Sequence, residues 1–206
     1  MNKELFDFIK NSPTPFHAVK NAGEALEKAG FLPLCESGEW NLEHGKSYYV
    51  TRNGSSVIAF KVPEGDFSGF MMTASHCDSP AFKIKENPEL TDKHYVRLSA
   101  EKYGGMLMGT WLDRPLGLAG AVLVRTNDPM RPERRLIDWD APLLVIPNLA
   151  IHMNREVNKG VACRAQVDML PICRTVQAQW ERRGYLVGKI AEKLGVQPAD
   201  VLSFEL

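Results

Sequence analysis

The chain has 206 residues, enough for one large domain or two small ones with a real core. Its 25 Lys plus Arg balance 25 Asp plus Glu, so no basic footprint points to nucleic acid or to an anionic membrane surface. A hydrophobic fraction of 44% and a charged fraction of 24% are ordinary for a soluble globular protein, and neutrality leaves little charge repulsion to oppose self-association.

The opening MNKELFDFIKNS carries charges throughout and has no unbroken apolar core of the kind a secretory signal needs. No apolar run is long enough for a membrane span. The four cysteines, Cys35, Cys77, Cys163 and Cys173, lack CxxC or zinc-finger spacing and read as reduced thiols, which predicts a cytoplasmic protein.

In chain order, NSPTPFHAVKNAGEALEKAGF opens with turn formers and becomes helical. Phe16, Val19, Ala22, Leu26 and Ala29 fall near one face, and Gly30 is placed to stop the helix. SYYVTRNGSSVIAFKV holds two β-rich runs around Asn53-Gly54, which predicts a hairpin. SGFMMTAS is continuously apolar rather than alternating, so it predicts a buried strand with His76 at its C-terminal end. Helix, hairpin and buried strand predict an α/β layer, whose ligands gather at strand C-termini.

After Pro88 the pattern changes. HYVRLSAEKYGG, GLAGAVLVRTND, APLLVIPNLAIHMN and QVDMLPICRTV are short β-like pieces broken by Gly and Pro, which predicts a second, β-rich unit from about residue 88. YLVGKIAEKLGV reads as a helix with Leu186, Ile190 and Leu194 on one face, closed by Gly195; a new element follows Pro198.

The chemistry-bearing residues are few. His76 and Asp78 in SHCDSP lie two apart, so on an extended chain they share a face. A metal-bound imidazole commonly donates its second N–H to a carboxylate, so the pair is a candidate ligand with its orienter, against the plainer reading of a strand-end His beside a solvated Asp. Zinc takes three or four protein ligands, and no HExxH or acidic pair at ligand spacing supplies the rest. Cys77 would face away from His76 on a strand and reads as structural; Ser79 lacks a nucleophile-elbow context. EKYGGMLMGTWLDRPLGLAG, residues 101–120, is either a tight turn region with a surface Asp113-Arg114 ion pair or a shaped loop that meets a subunit or substrate. His152 stands alone in a segment read as a strand leading into a short polar helix.

Five motifs then occur in order: SHCDSP, EKYGG, TWLDRPLGLAG, IPNLAIHMNREVN and QVDMLPI. Together, across essentially the whole chain, they resemble the N-terminal part of the aspartyl aminopeptidase family of cytosolic zinc metalloaminopeptidases. The resemblance implies the start of a zinc-peptidase α/β proteolytic domain (residues 1–87), an inserted β-rich dimerisation domain (88–200) and the start of a return to the proteolytic domain (201–206). It implies His76 as a zinc ligand and Asp78 as the aspartate that supports it. His152 matches the histidine that the inserted domain sends into the partner subunit's active site.

What the family does follows as expectation: release of N-terminal residues from peptides, acidic ones in the best-known members, by a homo-oligomer of dimers with two zinc ions per complete subunit. Two metals would bind the free amine and polarise the carbonyl, with a glutamate as general base. Met106 stands where the family often has a third glycine after YGG, and Pro115 where it often has an acidic residue after DR. The bridging aspartate, the general base and the remaining ligands of the family lie beyond the segment matching DVLSFEL, so at most a partial zinc site is expected here. A non-catalytic oligomerisation module is the competing expectation for the polypeptide itself.

Overall fold

The computed structural model describes residues 2–92, 94–160, 162–176 and 184–206, with mixed α/β structure. The chain divides into two compact units, Met1–Ser79 and Pro80–Leu206.

In the first unit, α1 (Asn2–Lys10) buries none of its residues. Helix α2 (Pro15–Lys28) follows from local chemistry. The Thr14 hydroxyl accepts the His17 N–H, Pro15 supplies a preset φ at the first turn, and Gly30 takes φ +85° just beyond the end. Strand β1 (Leu32–Leu34) pairs in parallel with β2 (Ser47–Arg52), which pairs antiparallel with β3 (Ser56–Lys61). Asn53 and Gly54 both have positive φ, and the Ser55 N–H donates to the Arg52 carbonyl at 3.1 Å, the geometry of a hairpin turn matched to strand twist. Tyr49 of β2 lies against α2: a Cβ on Gly23 would stand 3.4 Å from its ring, and its hydroxyl donates to Glu27 at 2.7 Å. Tyr48 points to the other face and packs on Phe60, which stacks with Trp40.

The strand expected at residues 68–75 is absent. Residues 66–80 carry no regular structure, and Phe70, Met71 and Met72 are 79% to 104% exposed. A continuous apolar run signals a strand only where neighbours cover both of its faces and pair both of its edges. No such neighbours are present among the described residues of the first unit.

The second unit begins with β4 (Ala81–Thr91), paired antiparallel with β5 (Tyr95–Tyr103), which pairs with β8 (Ile172–Thr175). The break expected at residue 88 therefore falls inside β4. Pro88 is accommodated where the β4–β5 register slips between Ile84 and Glu89, as a residue without an N–H requires. A second sheet has the order β7 (Glu133–Asp138), β6 (Ala119–Val124), β9 (Val201–Glu205). Residues 201–206 thus belong to this unit, and the Ile84 N–H donates to the Leu206 carbonyl at 2.8 Å, joining β4 to the end of β9.

Helix α3 (Tyr185–Leu194) packs into the same core through Leu186 and Ile190, with Gly195 at φ +66° ending it. Its first turn lacks a capping side chain of its own. Glu89 from β4 fills that role across 97 residues, accepting the Leu186 N–H at 2.7 Å and placing a carboxylate at the positive end of the helix. Around Ile190, the fully buried Leu98 and Val122 and the nearly buried Ile84 and Ile137 form one cluster. Each such side chain contributes about 1.5–3 kcal/mol of burial. Gly120 has no alternative: a Cβ there would lie 1.9 Å from the Glu205 carbonyl oxygen.

Candidate functional site

His76 and Asp78 lie in the irregular segment that ends the first unit. The structure brings them together. His76 Nδ1 is 2.7 Å from the Asp78 carbonyl oxygen and 3.1 Å from its Oδ1. Both partners are acceptors, so Nδ1 carries the proton and donates. That fixes the tautomer in which Nε2 keeps its lone pair, the form a metal needs. The His76 side chain is 80% exposed, so Nε2 is accessible. Among the described residues, no group of three or more His, Cys, Asp or Glu side chains is gathered to hold a metal ion. The residues present therefore fit one ligand and its orienter, fewer than zinc requires.

His152 lies in the second unit, exposed, in a turn where the Met153 and Asn154 N–H groups both donate to the Ala150 carbonyl. The expected strand and helix on either side reduce to isolated bridges from residues 144, 145 and 146 to Leu116, Ile172 and Leu112, and a short 3-10 turn at Val157–Lys159. Three apolar neighbours of the turn, Leu149, Ile151 and Met153, are exposed with it.

The motifs of the second unit meet one another. Ala81 pairs with Tyr103, and a Cβ on Gly104 (φ +76°) would touch Pro80 at 3.5 Å, so the end of SHCDSP abuts YGG. Trp111 packs edge-on against Phe82 with ring centroids 5.2 Å apart. The Leu98 N–H donates to the Pro171 carbonyl and the Ile172 N–H to the Val145 carbonyl, which ties QVDMLPI to β5 and to the segment before His152.

By sequence alone, Asp113 either pairs with Arg114 or takes its place in a shaped loop. Its carboxylate accepts the Asn148 N–H at 2.8 Å, while its own N–H donates to the Ile146 carbonyl at 2.9 Å. It adopts φ +57°, which Asp tolerates better than most residues. The TWLDR loop is thus latched to the base of the turn that carries His152. An Asp within a glycine-rich stretch was the available signal, but its partner is 35 residues away.

All four cysteines are free thiols. Burial pushes Cys173 up to about 11, with the nearby Glu89 carboxylate adding to the rise. Exposed Cys35 is lowered by its hydrogen bond with the Ser37 hydroxyl.

Comparison with known proteins sets these fragments in a frame. Residues 8–206 match the family model described as Aminopeptidase I zinc metalloprotease (M18). A probable M18 family aminopeptidase 2 of Clostridium novyi is 44% identical over 206 residues, covering 98% of this chain and 48% of that protein. A Pseudomonas fluorescens relative of the same description is 41% identical over 211 residues, again with 48% of it covered. Among solved structures, Chaetomium thermophilum mApe1 superposes with TM-score 0.86 at 30% identity, covering 98% of this chain and 49% of that one. The S. cerevesiae mApe1 dodecamer gives 0.75 at 25% identity, covering 98% and 47%. The chain spans about half the length of the curated relatives it matches, and on the strength of a family match over nearly all of its residues it belongs to the M18 zinc metalloprotease family of aminopeptidases.

Proposed function

We propose that this chain contributes the first zinc-binding histidine and the subunit-interface segment of a cytoplasmic metalloaminopeptidase that removes N-terminal residues from peptides. The observation that carries the reading is the His76–Asp78 contact, which holds an accessible imidazole in its ligating tautomer within a zinc metalloprotease sequence. Zinc in this family would supply Lewis-acid polarisation of the scissile carbonyl. The described residues gather only one ligand, so no hydrolytic step is assigned to them. His76 is the metal ligand in this reading, Asp78 its orienting carboxylate, and His152 the residue offered across the interface to a partner's site. The inserted dimerisation domain, expected over residues 88–200, corresponds in this reading to the second compact unit, Pro80–Leu206. Acidic N-terminal residues are the first substrates to test, with two zinc ions per complete subunit.

A second reading is a non-catalytic oligomerisation module. The exposed Leu149, Ile151 and Met153 around His152 favour it, since a cluster of apolar side chains on a turn suits burial between subunits. The mApe1 neighbour solved as a dodecamer supports assembly under either reading.

The two separate by experiment. The purified chain is expected to hold clearly less than two equivalents of zinc by elemental analysis and to be dimeric or larger by light scattering. Near-stoichiometric metal would overturn the one-ligand account, and a monomer the interface. Joined to the second half of the Clostridium novyi relative, the chain should gain zinc-dependent aminopeptidase activity. His76→Ala should then remove both metal and activity, and His152→Ala activity alone. A metal-replete, inactive assembly would favour the module.

A further inference from the structure

Residues 112–116 clamp the chain that leads to His152. Leu112 bridges in parallel to Ile146, and the Leu116 N–H donates to the Leu144 carbonyl at 2.9 Å. The last tie in this direction is the Asn148 N–H, held by the Asp113 carboxylate at 2.8 Å. Asn148 then passes the hold on, its side-chain oxygen accepting the Leu149 N–H at 2.8 Å. Beyond that point the turn looks after itself: among the described residues, every backbone hydrogen bond donated from 150–157 ends within the same stretch. The loop is fixed on its other side as well, where Trp111 packs edge-on against Phe82 of β4.

Asp113 is an uneconomical choice for a loop that needed only to bend. It sits at φ +57° in a stretch rich in glycine, and glycine would take that backbone without strain. Glycine has no oxygen to offer Asn148. A left-handed backbone at a residue with a Cβ persists where the contacts around it require that side chain, and such positions gather at functional sites. Without the carboxylate the Asn148 N–H loses its partner, and the exposed Leu149, Ile151 and Met153 are free to fold the turn onto other apolar surface.

We propose that Asp113 is a positioning residue for His152. Through the Asn148 N–H it holds the turn at 148–154 in the form that carries His152 to a partner's site. The proposal rests on the reading in which His152 serves the partner subunit, and it assigns Asp113 no contact with substrate or metal.

The test uses the fusion to the second half of the Clostridium novyi relative. Asp113→Ala should lower kcat at least about tenfold with zinc content and assembly size unchanged. Asp113→Asn keeps an acceptor and tolerates the backbone, and should restore kcat to within about twofold. Asp113→Gly relieves the backbone, lacks the acceptor and should behave like Asp113→Ala. Loss of zinc or of assembly in Asp113→Ala, or full activity in Asp113→Gly, overturns the proposal.

Mixed oligomers then separate positioning of His152 from general damage. Co-expressed with His76→Ala, an Asp113→Ala subunit supplies the metal site and its partner supplies a well-held His152. Random pairing makes half the dimers mixed, each with one complete site, so about a quarter of the unaltered activity should return. His152→Ala with His76→Ala should recover equally. Asp113→Ala with His152→Ala should recover nothing, since neither subunit lends a working His152. If only the Asp113→Ala and His76→Ala pair fails, the proposal falls and the His152 reading stands; if both pairs with His76→Ala fail, the His152 reading falls and takes the proposal with it. If the fusion is inactive, exchange in the unfused chain decides. The Met153 and Asn154 amides, which lie beyond the latch, should exchange at least about tenfold faster in Asp113→Ala and normally in Asp113→Asn. Unchanged exchange, or equal acceleration in β5 and β6, overturns the proposal.

Discussion

Among the described residues, the first unit buries four apolar side chains, Val19, Tyr48, Tyr49 and Val50, whereas the second buries seventeen. Yet each leaves twelve large apolar side chains exposed, and the first is much the shorter. The second unit closes two sheets and a helix around one cluster. The first has a helix on one face of a three-stranded sheet and a small aromatic group on the other. A fold of two packed layers needs apolar surface on both sides of each interface. The second unit meets that condition with its own residues, and the first does so only in part.

The comparison can be broken most forcefully at Gly120. Gly120→Ala forces β6 and β9 apart and should cost about 3 kcal/mol or more in urea unfolding. A loss under about 1 kcal/mol would mean that the second unit is less tightly closed than it is here. Next, Ile190→Ala in the core should cost about 2–5 kcal/mol, while Ile58→Ala in the first unit, exposed on β3, should cost under about 0.5 kcal/mol. Equal costs would erase the contrast between the units.

Asp113→Ala should cost about 1 kcal/mol and speed amide exchange across residues 148–154, whereas Asp113→Asn, which keeps an acceptor oxygen and tolerates positive φ, should restore both. No change in exchange would show that the turn is held by other contacts. The mildest test leaves the fold untouched. At pH 8 the Cys173 thiol, raised to about 11 by burial, is ionised to roughly one part in a thousand, so alkylation should reach Cys35 first and Cys173 last. Prompt labelling of Cys173 would show that the second unit opens readily.

What could be read from the sequence divides along the same line. Helix α2 with Gly30, the Asn53-Gly54 hairpin, and α3 with Gly195 are set by residues a few positions apart, and periodicity and turn chemistry locate them. The His76–Asp78 contact was legible for the same reason, its partners being two residues apart. The Asp113 latch and the Glu89 cap were not, because their partners lie 35 and 97 residues away and nothing local marks them. The run at 70–72 shows the converse error. Its composition states what the strand needs, burial on both faces, and says nothing about whether the chain supplies it. Helix α1 carries Leu5, Phe6 and Ile9 at helical spacing, but the charges spread through the same nine residues blur that signal.

The bond from the Ile84 N–H to the Leu206 carbonyl has a consequence for how such a unit can travel between proteins. It places the first strand of the second unit beside its last residue. A body whose entrance and exit are neighbours can be spliced into a loop of another fold with almost no separation to bridge, and so at little loop-closure entropy. Its host keeps its own chain path, and the guest keeps its own core. In this unit the doorway is a single hydrogen bond wide.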